Sequence, residues 1–262
     1  MMRSLNTSAT GMIAQQINLD VIANNLANVN TTGFKHQRAE FQDLMYQTVQ
    51  AAGAITGPDQ RTPTALQIGL GTRNSSTSGD FAQGATLVTS NPTDLMITGD
   101  GFFRVRRPDE SIAFTRDGSF KIDAAGDLVN TDGYAVDPAI NVPREATTVT
   151  VSPSGDVQYT LPNNPETQSA GKIMVATFAN PAGLTRVGQN LYLASAASGT
   201  ENSVEPGTAG SGKIQGGALE ASNVQIVEEM VRMIQAQRAY EINSKAIQTS
   251  DEMLNTMNSL KR

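Results

Sequence analysis

Hydrophobic residues recur every seven positions at both ends of the chain and lose that period in between. Near the start, Leu5, Met12, Leu19 and Leu26 mark the repeat, with Ala9 and Ala23 in the alternate seam places and polar Gln16 between them. Towards the end, Ile226, Met233, Tyr240, Ile247 and Leu254 repeat the spacing. A stripe this narrow belongs to a helix that winds around other helices, because a globular core asks for a wider apolar face. The first helix is expected from Ser4, as its N-cap, to Val29 or Asn30, with Thr31-Thr32-Gly33 stopping it and Gly11 as a weak point. The second is expected from a capping box, Ser222 to Gln225, as far as Leu260, with Glu228–Arg232 and Glu241–Lys245 as acid-first i,i+4 pairs.

The middle follows another rule. Short apolar runs such as Leu95-Met96-Ile97, Phe102 to Val105, Ile112 to Phe114, Val149 to Val151, Ile173 to Phe178 and Leu191 to Leu193 alternate with turn pairs such as Asp117-Gly118 and Asp132-Gly133. Many short strands with no helical period between them indicate an antiparallel β domain, as barrel or sandwich. Between it and the first helix, residues 34–46 read as a short helix or an extended arm. Residues 47–84 have the Ala, Gly, Thr, Ser and Pro content of a linker, although Leu66, Ile68 and Leu70 alternate as in an extended hairpin. The fold class is therefore α+β and multidomain. A coiled-coil-like helical domain is expected from 1–34 with 220–262, a linking arm from 35–84 and an inserted β domain from 85–219.

Composition narrows the function. A formal charge of −6, with no clustered Lys or Arg, argues against a nucleic-acid binder. The chain has no cysteine, which removes disulfides and thiolate chemistry. The N-terminal residues enter the heptad directly, without the apolar core of a secretory signal, so an exported chain would take another route. His36 is the sole histidine and lacks a partner set for nucleophilic or zinc chemistry. Gly99-Asp100-Gly101 and Asp123 to Asp127 read as turns rather than phosphate or calcium loops. No catalytic, cofactor or metal residues are expected.

The apolar strips remain. Ile22, Val29, Val231, Ala239 and Ala246 lie to the side of the seams, and neighbouring copies are expected to cover them. Flexible Met12, Met230, Met233, Met253 and Met257 lie in or near the same seams. The candidate subunit-interface set is thus Leu5, Met12, Leu19, Leu26, Ile226, Met233, Tyr240, Ile247 and Leu254. The ends are expected to gain stable order only among sibling copies.

Residues 23–35, Ala-Asn-Asn-Leu-Ala-Asn-Val-Asn-Thr-Thr-Gly-Phe-Lys, resemble the N-terminal signature of the flagellar rod and hook proteins. Residues 237–246 resemble its C-terminal counterpart. The likeness continues at Gly99 to Phe103, Phe114 to Phe120, Gly188 to Tyr192 and Leu219 to Val224, so it spans nearly the whole chain. The signature residues are Asn24, Asn25, Leu26, Asn28, Gly33, Phe34, Lys35, Tyr240 and Asn243. Length, the Tyr240 to Lys245 run and residues 46–73 are most similar to the distal-rod branch.

The resemblance implies a structural, non-enzymatic subunit of the bacterial flagellar basal body. Such subunits leave the cell uncleaved through the flagellar type III export apparatus and stack helically into a hollow rod across the periplasm. The rod carries torque to the hook, with terminal helices forming the inner tube and the β domain lying outside. Implied partners are further copies, other rod proteins, the hook protein, and the peptidoglycan and outer-membrane ring proteins. The branch-specific insertion falls within 46–66, where this sequence is richer in Ala and Gly than the pattern. Neutral Asn18, Asn25, Gln235 and Gln248 are expected to line the channel, where fixed charge would hold passing chains. A proximal rod or hook paralogue shares these signatures. A secreted β-rich adhesin on a coiled-coil stalk would want a signal peptide and an aromatic patch, and a hydrolase a clustered acid pair or an activated nucleophile.

Overall fold

A computed structural model describes residues 2–53, 55–57, 60–162 and 164–260. The chain divides into two compact units: Met1–Leu26 with Gln37–Ser78 and Gln225–Arg262, and Ala27–His36 with Gly79–Val224.

In the first unit, helix α1 is Met2–Ala27 and helix α2 is Ile226–Leu260. At 1.5 Å per residue they measure about 40 and 52 Å. Two boundaries differ from expectation. Ser4 lies inside α1 rather than capping it. Ser222 does not cap α2 either: its hydroxyl accepts from Val224 N, two residues before the helix begins. The first helical bond runs from Glu229 N to Gln225 O, so Gln225 stands where the N-cap belongs.

The two helices run antiparallel. Asn25 reaches Glu229, and a Cβ placed on Gly11 would meet the Asn243 amide at 3.0 Å, so fourteen residues forward on α1 match fourteen backward on α2. Gly11, a weakness for an isolated helix, is the point of close approach. The two ends thus touch each other within one chain. Strand Gln37–Asp43 pairs with Thr72–Gly79, and Tyr46–Gln50 pairs antiparallel with Leu66–Gly69 in the register Tyr46↔Gly69 and Gln47↔Ile68. The alternating run at 66–70 thus lies in a ladder. Residues 54, 58 and 59 fall outside the described residues.

The second unit is β-rich and antiparallel throughout its described pairings. A nine-stranded sheet is built around Phe102–Arg106, which pairs with Ile112–Thr115, Ala135–Val136 and Val175–Thr177. Thr148–Val151, Asp156–Leu161 and Asn164–Lys172 form a separate three-stranded meander. The expected run from Ile173 to Phe178 is interrupted: Ile173 N bonds Gly155 O, and the strand begins again at Val175. Alternate residues of Phe102–Arg106 face two clusters. Phe103 and Val105 join Leu95, Phe120 and Ile173, whereas Phe102 joins Phe114, Leu184 and Tyr192. Edge-to-face ring pairs, including Phe103–Phe120 at 5.2 Å, add about 0.5–1.5 kcal/mol each beyond area burial. The few aromatic residues are concentrated here, which compensates for their low number.

Candidate functional site

The N-terminal signature is a knot within the second unit. Lys35 is fully buried, and its ammonium donates to Glu220 Oε1 at 2.5 Å and to the Ala82 carbonyl at 2.8 Å. Gly84 N donates to the same Glu220 oxygen, and the Arg116 guanidinium lies 3.5 Å from the other. Burial pushes the Lys35 ammonium below its usual range, and Glu220 opposes that fall. Burial likewise lowers Arg116, which donates to the carbonyls of Ile97 and Gly99 and lies over the Phe102 ring. Gly33 has φ of +67°, and a Cβ there would come within 2.5 Å of Asp117 N, so only glycine fits. Asn190 donates to Thr32 O and Asp117, while Asn223 Oδ1 accepts from His36 N. Phe34 sits beneath Arg186, whose guanidinium donates to Lys35 O. The motifs quoted from 31–36, 99–103, 114–120, 188–192 and 219–224 thus converge on one buried ionic cluster.

A second cluster joins the helices in the first unit. Asn25 is buried: its Oδ1 accepts from Gln37 N at 2.9 Å, and its Nδ2 donates to Gln37 O at 2.8 Å and to Glu229 Oε2 at 2.9 Å. The amide therefore imitates a neighbouring strand for Gln37 while tying α1 to α2. This overturns Asn25 as a channel residue, since every polar atom of its side chain is engaged inside the fold. Arg232 also holds Glu229. A cavity of about 390 Å³ lies beside this contact, with Asn18, Ile22, Ala39 and Ala236 on its wall. Ile22 is buried there, so it is not one of the side-face residues left for neighbours. Asn25→Ala leaves Glu229 and both Gln37 backbone groups short of partners. It should cost about 2–4 kcal/mol, read as a lower urea midpoint of the helical signal in circular dichroism.

Leu5, Met12, Leu19, Leu26, Met233, Ile247 and Leu254 are half-buried, and Ile226 and Tyr240 are exposed. Among the described helix residues, Ala14, Ile22 and Asn25 of α1 and Glu229, Ala236 and Ser250 of α2 are buried, and Gly11 lies against Asn243. Glu229, Ala236, Asn243 and Ser250 also recur every seven positions, beside the apolar stripe. Of the remaining signature positions, Asn24 is exposed and Asn28 accepts from the Thr31 hydroxyl. Sequence reading picked out Val231 but missed the rest of its strip on the opposite side of α2: Val227, 75 % exposed, with Ile234 and Ile242. Two apolar runs spaced three and four apart on one helix were the available signal. The same unit also exposes Met45, Tyr46, Val49, Leu66, Ile68 and Leu70. Among the described residues, the second unit exposes only Leu87, Val88, Ile122 and Val187 of this kind.

Asp123 accepts from Ala125 N and Asp127 N in a hairpin turn, and Gly99 and Gly101 have positive φ at a turn.

Three family models match along the chain: a flagella basal body rod protein segment at residues 5–35, the flagellar hook protein FlgE/F/G D1 domain at 96–159, and the flagellar basal body rod FlgEFG protein C-terminal region at 215–260. The flagellar basal-body rod protein FlgG of Borreliella burgdorferi is 51% identical over 264 residues, covering 100% of both chains. The chain belongs to the FlgG family. The FlgG of Buchnera aphidicola subsp. Schizaphis graminum is 46% identical over 99% of this chain and 100% of its own. The hook protein FlgE of Helicobacter mustelae is also 46% identical, but over only 52% of this chain and 30% of its own. Full-length agreement with FlgG and partial agreement with the hook protein place the chain in the distal-rod branch. It is a structural component of the flagellar basal-body rod and not an enzyme.

Proposed function

We propose that this subunit self-assembles helically into a hollow drive shaft that carries motor torque to the hook and conducts exported proteins. The observation that carries this reading is the concentration of exposed apolar side chains on α2 and the arm, far more than a lone subunit leaves in water. Residues 1–34 with 220–262 supply the inner tube, 35–84 the arm between neighbours, and 85–219 the outer domain. Leu5, Met12, Leu19, Leu26, Ile226, Met233, Tyr240, Ile247 and Leu254 form the seams between copies. Sliding such a tube displaces each side chain from several packed neighbours at once, and that resists torque.

Exposed Gln235 and Gln248 line the channel in this scheme. The partners are other rod proteins, the hook protein, the peptidoglycan and outer-membrane rings, and the type III export apparatus, with the rod spanning the periplasm. Electron microscopy of the purified protein after concentration should show hollow tubes. Persistent monomers or amorphous aggregate at every concentration would refute self-assembly.

A further inference from the structure

We propose that Met45, Met230, Met253 and Met257 form an oxidant-sensitive modification site that controls whether a free subunit can assemble; the assembly consequence rests on the function proposed above. With no cysteine in the chain, sulfur chemistry falls to methionine alone. Among the described side chains, these four thioethers are exposed, Met45 at 81 % and the others at 51–52 %. Met96 is buried, and Met12, Met174 and Met233 are half-buried.

The exposed four all belong to the first unit. Met230 stands between Val227 and Ile234 on the apolar side of α2, Met45 precedes Tyr46 in the arm, and Met253 and Met257 share one face of the last turns of α2 with Thr249 and Glu252.

The co-reactant is a two-electron oxidant of the peroxide class. The thioether sulfur attacks a peroxide oxygen, an S–O bond forms as the O–O bond breaks, sulfur loses two electrons, and the departing oxygen takes up a proton to leave as water. The sulfoxide is polar and chiral, and packing it against a neighbour's apolar side chains strands a strong acceptor. Each such event disfavours assembly and leaves the folded subunit intact, because these sulfurs contribute little to its own core. The same side chains become protected once covered.

The test treats soluble full-length protein with hydrogen peroxide, locates oxidised methionines by peptide mass spectrometry, and measures the concentration at which tubes form. Met45, Met230, Met253 and Met257 should oxidise before Met96, the helical spectrum should persist, and the assembly threshold should rise about tenfold or more. In a variant with all four changed to leucine, the threshold, whatever its value, should not move on peroxide treatment. Methionine sulfoxide reductase should restore wild-type assembly. Unchanged assembly of fully oxidised wild type, or an equal peroxide response in the leucine variant, overturns the proposal. If untreated protein forms no tubes while the four methionines still oxidise first, the assembly reading has failed and the control with it, but the site selectivity stands.

Discussion

Replacing Glu220 with alanine should destabilise the β-rich unit by about 3–5 kcal/mol, enough to shift its folding equilibrium by about two to nearly four orders of magnitude. The carboxylate joins Lys35 at 2.5 Å, Gly84 N at 2.9 Å and Arg116 at 3.5 Å, with Lys35 and Arg116 almost wholly buried. Removing it leaves two buried cations facing each other, with only the more distant Asp80 and Asp100 to offset their charge. The effect carries a pH signature. Burial already holds the Lys35 pKa below 10.5, and loss of Glu220, which raises it, lowers it further. The unfolded chain then binds a proton that the folded one does not, so the variant's stability rises with pH towards 10.5. Urea unfolding followed by circular dichroism should show a much lower midpoint at pH 7 and a partial recovery at pH 9.5 relative to wild type. Equal midpoints for the two proteins would show that the cluster contributes nothing.

That cluster marks the limit of what the sequence could tell. Lys35, Arg116 and Glu220 stood within recognisable family segments, yet charged residues are ordinarily solvated, and nothing local announces that three of them meet at separations of up to 185 residues. The helices were legible because seven-residue spacing survives any tertiary context. Which residues join the two helices within one chain does not follow from hydrophobicity alone: Gly11 lies close to Asn243 because it is small, and Asn25 is buried because its amide is fully hydrogen-bonded. The helix caps were misplaced because Ser222 could equally close a local turn, as its contact with Val224 N shows. In the ladder of Tyr46–Gln50 with Leu66–Gly69, the second strand was legible from alternating Leu66 and Ile68, whereas the first was obscured because both its faces are exposed, which removes the alternation that normally identifies a strand.

Introducing aspartate at Val227, Val231 and Ile234 together should abolish tube formation while leaving the monomer folded. These side chains are exposed, on the side of α2 facing away from Glu229, Ala236 and Asn243, so their loss removes nothing from the helix pair. Helix propensity opposes the change by only a few tenths of a kcal/mol per residue, and Val227 lies in the first turn, where an acid beside Glu228 and Glu229 is tolerated by the helix dipole. At a subunit contact the balance is different. Each valine or isoleucine covered by a neighbour is worth about 1.5–3 kcal/mol, and an unpaired carboxylate in its place adds a desolvation penalty. Three per subunit should raise the assembly threshold by at least about a thousandfold. Sedimentation and electron microscopy should find only monomer where wild type forms tubes, with the helical circular dichroism retained. Tubes at the wild-type threshold would mean that this side of α2 meets no neighbour, and the seams would then have to be sought among the half-buried leucines and methionines alone.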